Sequence, residues 1–254
     1  MVLATWNING LRSYQKKYDL KLFLQKYNID MLHLQETKLV EGWNIQEEVG
    51  LPEEWYFYQN LASSRKGYAG VASISKWELS PLSIDMSNQR FQAEGRMLLY
   101  QFRDYHIINI YFPQGDRSKK DVPYKLEVCD YITAMVKSNP GKWMIFGDFN
   151  MAQSELDLAR PKQNYNNNMF TVEERERMAG LAKAGIVDVF RYMYSEESQY
   201  TWWSYSYNAR ERNVGWRLDY IFLSENVKTN IKRVEILKDE FGSDHCPVLV
   251  EVEI

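Results

Sequence analysis

Asp244 and His245 stand side by side, between the small-residue turn Gly242-Ser243 and the apolar run Val248-Leu249-Val250. Consecutive residues point to opposite faces of a strand, so such a pair converges on one ligand only at a turn or a strand end. There, a carboxylate beside an imidazole suits phosphate or metal handling, but it needs partners. Polar residues at the ends of other apolar runs supply them: Asn7 closes Val2 to Asn7, Glu36 closes Asp30 to Glu36, and Tyr111 lies near the end of Tyr105 to Phe112. Asp148 and Asn150 emerge two residues apart from the buried run beginning at Trp143, and Asp219 lies among the apolar residues of Trp216 to Leu223. Singly, each has an ordinary structural explanation: Glu36 as a salt-bridge partner, Asp219 as a turn cap, Asn150 as a turn former, Tyr111 as a packed aromatic. Their shared placement at strand ends makes them a constellation. It is rich in oxygen and poor in nitrogen and sulfur, so it suits a hard cation, magnesium or manganese, better than zinc.

The elements that must position these groups follow from the apolar pattern. Val2 to Asn7 reads as a strand leading into the polar turn Asn7-Ile8-Asn9-Gly10. Leu20, Phe23, Leu24 and Tyr27 fall at helical spacing within Tyr18 to Tyr27, and Asp30 to Glu36 is the next strand. Strand, helix, strand implies a sheet with crossover connections. From Gly67 the period changes to short antiparallel strands: Gly70 to Ser75, Arg96 to Phe102 and Tyr105 to Phe112. A helix is expected over Tyr124 to Val136, with Cys129 as an inert apolar side chain. The polar loop Gln163 to Asn168 leads to Thr171 with Glu174 three residues on, a capping box for a helix through about Lys183. Tyr200 to Tyr205, Trp216 to Leu223 and Ile231 to Leu237 read as further strands, and His33 as a sheet-packing histidine. Both halves run strand, helix, strand, then antiparallel strands, which predicts two similar sheets packed face to face. No Gly-, Pro- or Ser-rich linker divides them, so one domain spanning 1–254 is expected.

Composition bounds the function. With 254 residues, 45% of them hydrophobic and 26% charged, the chain can bury a full core without staples. No stretch approaches the roughly 18 consecutive apolar residues of a membrane span, so no membrane partner is expected. The N-terminus lacks the basic-then-apolar pattern of a signal peptide, which predicts a cytoplasmic protein. Cys129 and Cys246 are too few for a disulfide framework and lack zinc spacing. A net charge of −3 argues against wholesale electrostatic binding of nucleic acid but permits a local basic rim. Its candidates are Arg90, Arg96, Lys119, Lys120, Arg210 and Arg212.

Five motifs occur in order: Leu34-Gln35-Glu36-Thr37-Lys38, Asn109-Ile110-Tyr111-Phe112-Pro113, Gly147-Asp148-Phe149-Asn150, Trp216-Arg217-Leu218-Asp219-Tyr220 and Gly242-Ser243-Asp244-His245-Cys246-Pro247. From Trp6-Asn7-Ile8-Asn9-Gly10 onward, the chain closely resembles the exonuclease III family of apurinic/apyrimidinic endonucleases, within the endonuclease/exonuclease/phosphatase superfamily. Glu36, Asp148-x-Asn150 and Asp244-His245 alone resemble the superfamily; Trp202-Trp203, Asn208-Ala209-Arg210 and Asn213 to Asp219 are particular to its DNA-repair branch.

The resemblance implies a four-layer α/β sandwich, two mixed β-sheets face to face with helices outside. It implies a monomeric, magnesium-dependent enzyme, with manganese as a substitute, acting on double-stranded DNA at abasic or 3′-blocked sites. Such enzymes cut the phosphodiester 5′ to an abasic site, leaving a 3′-hydroxyl and a 5′-deoxyribose phosphate, and commonly add 3′-phosphodiesterase and 3′→5′ exonuclease activity. Matched motif by motif, Glu36 is the expected metal ligand with Asn7 and Asp244 nearby, and Asp148, Asn150 and His245 complete the candidate ligand set. Asp148 is expected to orient or deprotonate the attacking water, Asn150 and His245 to hold the phosphate, Asp219 to orient His245, and Tyr111 to contact the phosphate or assist the leaving group. Trp202, Trp216 and Leu218 are expected around a pocket for the extruded sugar, Trp203 in the core, and Lys38, Gln114 and Arg210 against DNA. Two other readings are an RNA-degrading or small-phosphoester hydrolase, whose relatives lack the tryptophan set, and a non-catalytic nucleic-acid-binding module, against which the intact motifs count.

Overall fold

The apolar runs become strands and the 3.6-period segments become helices in the computed structural model, which describes residues 1–254. In chain order the elements are β1 (Val2–Asn7), α1 (Leu11–Gln15), α2 (Leu20–Lys26), β2 (Met31–Gln35), α3 (Ile45–Val49), β3 (Tyr56–Asn60), β4 (Val71–Ser75), β5 (Ser80–Pro81), α4 (Gln89–Ala93), β6 (Met97–Phe102), β7 (Tyr105–Tyr111), α5 (Val122–Ser138), β8 (Lys142–Asp148), α6 (Pro161–Asn164), α7 (Val172–Lys183), β9 (Ile186–Asp188), α8 (Val189–Met193), β10 (Asp219–Ser224), β11 (Ile231–Ile236) and β12 (Val248–Val252). They form two six-stranded mixed sheets, ordered β11-β12-β1-β2-β4-β3 and β5-β6-β7-β8-β10-β9. No helix is long and apolar enough to cross a membrane.

Alternation along the strands builds the layers. On β7, Ile107 packs between the sheets with Leu3, Met31, Met144, Phe146 and Val250. Its neighbour Ile108 points outward to Val128 and Ile132 of α5 and Met178 and Leu181 of α7. On the other sheet Trp6, Leu32 and Leu34 meet Leu11 of α1 and Phe23 and Leu24 of α2. The result is the expected order of helix, sheet, sheet, helix.

Register then decides which polar residues meet. β1 and β2 are parallel with Asn7 opposite Gln35, so Asn7 and Glu36 leave the sheet together. β7 and β8 are parallel with Tyr111 opposite Asp148, and antiparallel β10 sets Asp219 opposite Asp148. A buried polar clasp joins the two sheets beneath these ends. Gln35 Nε2 donates to Asn109 Oδ1 (2.8 Å) and Thr5 Oγ1 (2.9 Å), while Asn109 Nδ2 donates to the Ala72 carbonyl (2.7 Å).

Two expected strands are corrected. Tyr200 to Tyr205 is not a strand; only Trp202 forms isolated bridges, to Trp216 and His245. Its side chains serve separate ends: Trp203 enters the core and Tyr205 is 74% exposed. β10 starts at Asp219, because the N–H groups of Leu218 and Asp219 both donate to Thr201 Oγ1 and that of Arg217 to the Asp157 carbonyl. The short elements α3, β3, α4, α6 and α8 carry too few residues for a period to show. The Thr171–Glu174 capping box forms as expected and starts α7.

His33 is the packing histidine the pattern predicted. It is fully buried, stacked on Phe146 with centroids 4.3 Å apart, and Nδ1 lies 2.9 Å from Ser73 Oγ. Burial pushes its pKa from 6.5 down to about 3, so the folded imidazole is neutral. As pH falls the unfolded chain takes up this proton first. The stability contribution is therefore complete above 6.5 and is lost between there and about 3, by about 5 kcal/mol. Urea unfolding midpoints measured across that range are expected to fall, and less steeply in His33→Gln.

Candidate active site

Four residues at the ends of β8, β10 and the β11–β12 connection make the floor of the site. Asp148 is fully buried; its Oδ1 accepts the Asn150 N–H (2.9 Å) and its Oδ2 accepts from Asn7 Nδ2 (2.8 Å) and Asn150 Nδ2 (3.2 Å). His245 lies between two carboxylates, with Nδ1 2.8 Å from Asp219 Oδ2 and Nε2 3.8 Å from Asp148 Oδ2. Burial alone would depress the imidazole pKa, yet Asp219 and then Asp148 raise it to about 10. Burial, countered by His245 and assisted by Asp219, raises Asp148 to about 7. Near neutral pH the centre therefore carries an imidazolium held by Asp219 and facing Asp148. Ser243 Oγ accepts the His245 N–H and donates to the Asn7 carbonyl, which fixes this turn to β1.

A second, more open group forms the rim. Asn7 Nδ2 also reaches Glu36 Oε2 (3.2 Å), so one carboxamide joins acids from both sheets. Glu36 and Lys38 both take left-handed backbone angles (φ 51° and 52°), which turns their side chains back over the strand ends. Lys38 Nζ lies 2.9 Å from Glu36 Oε1 and 2.5 Å from Asn9 Oδ1. Asn9 Nδ2 donates to Asp244 Oδ1 (2.8 Å), and Trp202 Nε1 donates to Asp244 Oδ2 (3.0 Å). Asp244 and His245 thus face different ways: one toward Asn9 and Trp202, the other toward Asp219 and Asp148. The Tyr111 ring lies 4.6 Å from the Arg96 guanidinium, and burial followed by the Glu36 charge raises its phenol pKa.

Three acid–imidazole groups, Asp148, Asp219 and His245, present ligand atoms within 4.8 Å of one another. A protonated imidazole has no lone pair for a cation. The rim oxygens of Glu36, Asn7, Asn9 and Asp244 differ: one Glu36 oxygen already attracts the Lys38 ammonium, and the donors are all oxygen. That set fits a hard divalent ion.

Beside the floor lies a cleft of about 610 Å³, lined by Gln114, Gly115, Asp116, Arg117, Trp202, Trp216 and the asparagine-rich segment Asn164 to Met169. Trp202, Trp216 and Gln114 therefore come together as expected. Leu218 does not line it; it is buried, at 1% exposure, and its N–H is anchored on Thr201 Oγ1. Arg210 is not free for DNA either. Its guanidinium donates to the carbonyls of Ser243 (3.1 Å), Lys238 (2.7 Å) and Glu240 (2.5 Å), stapling the loop that carries Asp244. Arg96 is buried on Glu94 and leaves the expected rim, while Arg90 stays exposed and is paired with Glu94 and Asp121. Lys119 donates to the Asn166 carbonyl, while Lys120 and Arg212 are exposed. Asn9 and Thr201 escaped the sequence reading. Asn9 follows Asn7 in the same polar turn, and that position was the signal.

Fold and site together define a four-layer α/β protein with an acid–imidazole centre at the shared edge of its sheets. Comparison with known proteins makes this specific: a sequence model of the endonuclease/exonuclease/phosphatase family matches residues 4–245, and the chain belongs to that family. It is 37% identical over 260 residues to an exodeoxyribonuclease of Bacillus subtilis (strain 168), with 100% of each chain covered. It is 35% identical over 253 residues to the DNA repair nuclease APEX1 of Danio rerio, covering 98% of this chain and 81% of that one. A solved AP endonuclease from Archaeoglobus fulgidus shares the fold, with a TM-score of 0.87 at 24% identity over 100% of both chains.

Proposed function

We propose that residues 1–254 act as one monomeric catalytic domain, a divalent-metal-dependent DNA-repair endonuclease. It hydrolyses the phosphodiester 5′ to an abasic site in double-stranded DNA, leaving a 3′-hydroxyl and a 5′-deoxyribose phosphate. Removal of 3′ blocking groups and 3′→5′ exonuclease action accompany it. The observation that carries this reading is an imidazole held between two buried carboxylates, next to a cleft walled by Trp202 and Trp216. In-line hydrolysis needs an activated water, donors for the phosphoryl oxygens and a stabilised leaving group.

Asp148 serves as the base: burial places its pKa at about 7, near the pH at which a base works best. His245 Nε2 donates to a phosphoryl oxygen, and Asp219 holds the ring and its charge. Asn150 assists at the same phosphate, and the Tyr111 phenol stands by the leaving oxygen. Glu36, with Asn7 and Asp244, would hold the cation, magnesium or manganese. A cation held by these residues would supply positive charge to offset the negative charge that develops in phosphodiester cleavage. The aromatic cleft accepts the extruded sugar; extrusion costs least where no base is stacked, which gives selectivity without base readout.

Incubation with a duplex carrying one tetrahydrofuran abasic analogue tests the reading. Incision 5′ to the lesion with magnesium, abolished by EDTA and by Asp148→Asn, is the expected result; an uncut duplex refutes it. Trp202→Phe supplies a finer check, because it removes the indole donor that steadies Asp244. Manganese titrations of the free protein are expected to show about tenfold weaker binding, the usual cost of losing a partner that orients a ligand.

A further inference from the structure

Behind the reacting groups, α5 and α7 are joined by a fully buried ion pair. Lys125 Nζ lies 2.5 Å from Glu174 Oε1, and neither side chain has any exposure. Such a pair is a weak device for stability, because apolar residues of the same volume often do as well. Capping does not explain the charge either. Glu174 Oε2 accepts the Thr171 N–H (2.9 Å), but glutamine at that position closes a capping box equally.

What the ammonium adds is a second contact of its own: it donates to the Asn150 carbonyl at 3.1 Å. Asn150 sits in the left-handed region (φ 49°). Its N–H is held by Asp148 Oδ1, its side-chain Nδ2 by the Phe112 carbonyl (3.0 Å) and Asp148, and its carbonyl by Lys125. Past Asn150, the Ala152 N–H donates to the Met169 carbonyl, while the Met169 N–H donates to Glu174 Oε1 (3.3 Å). The pair therefore ties two things together: the limb that carries Asp148 and Asn150, and the asparagine-rich wall of the aromatic cleft.

We propose that Lys125, held by Glu174, is a positioning residue that fixes the Asn150 peptide, and with it the Asp148 carboxylate, relative to the cleft. The proposal rests on the phosphodiester-cleavage reading above. Two variants separate positioning from stability. Lys125→Met/Glu174→Gln removes both buried charges, keeps the cap acceptor, takes the acceptor from the Met169 N–H as Glu174→Gln alone also does, and leaves the Asn150 carbonyl unheld. Glu174→Gln alone strands the ammonium without its counter-charge but leaves its donation to Asn150 in place.

Cleavage of the tetrahydrofuran duplex, duplex affinity in EDTA and melting temperature are measured for both variants and the unaltered protein. The double variant is expected to melt near the unaltered protein and bind duplex equally, with kcat about 100-fold lower and KM unchanged, the scale of loss for a misplaced reacting group. Glu174→Gln alone is expected to melt lower yet keep its kcat at temperatures where it is folded. Unaltered kcat in the double variant, or a kcat that falls with melting temperature in Glu174→Gln, overturns the proposal even if the double variant does not fold. An unaltered protein that leaves the duplex uncut overturns the function reading, and the positioning role with it.

Discussion

Replacing His245 with alanine is expected to lower kcat for incision of an abasic duplex by about 1,000-fold, the cost of losing one preorganised donor to a developing oxyanion in a dry site. Metal binding should survive, because His245 faces Asp219 and Asp148 while Glu36 meets Asn7 and Lys38, and Asp244 meets Asn9 and Trp202. Manganese titration of the variant, in parallel with its kinetics, checks the division. Equal losses of metal affinity and incision would show that the imidazole serves the cation instead. The pH profile gives a further handle. With the folded pKa raised to about 10, the imidazolium persists through neutrality, and activity should decline only as pH rises toward that value. Asp219→Asn removes the larger of the charges that raise it, so the decline should move to lower pH.

Asp148→Asn is expected to be slower still, by about 10,000-fold in kcat, at the upper end of what a positioned base supplies. A carboxamide of the same shape still accepts the Asn150 N–H but cannot take a proton from water. Duplex affinity in EDTA should be retained. The melting temperature in EDTA at pH 8 should equal or exceed that of the unaltered protein, for a reason visible in the site. Burial makes the Asp148 charge unfavourable: its folded pKa of about 7 exceeds the ordinary 3.8, so folding loses stability as pH rises from 3.8 to about 7 and has lost it all by pH 8. The amide removes that cost. A variant that melts well below the unaltered protein would mean the carboxylate is structural.

Much of this site was legible because its residues terminate strongly apolar runs. Asn7, Glu36, Asp148 and Asp219 each follow or begin a strand whose burial is dictated by its own sequence, and parallel registers bring such ends level. The aromatic segment from Tyr200 misled because tyrosine and tryptophan favour strands wherever they occur, whereas here Thr201 spends its hydroxyl on the next strand and Trp203 drops into the core. Charge was the least legible property. Nothing in sequence separates Arg96 and Arg210, both consumed by internal partners, from the exposed Lys120. Lys125 and Glu174 are far apart in the chain, and helix periodicity reports a face without reporting what it meets.

The Asn7 carboxamide that bridges Glu36 to Asp148 spans two sheets, and each sheet alone holds only part of the machinery. Asp244 and His245 enter between β11 and β12, and β12 is laid against β1. β1 has β2 on one side, and it gains its second neighbour only when Val248–Val252 is in place. Until then the nascent chain holds Asp148 and Glu36 but no imidazole beside them. The acid–imidazole centre is thus completed in one event, the closing of the sandwich, because His245 comes from one sheet and Asp148 and Asp219 from the other.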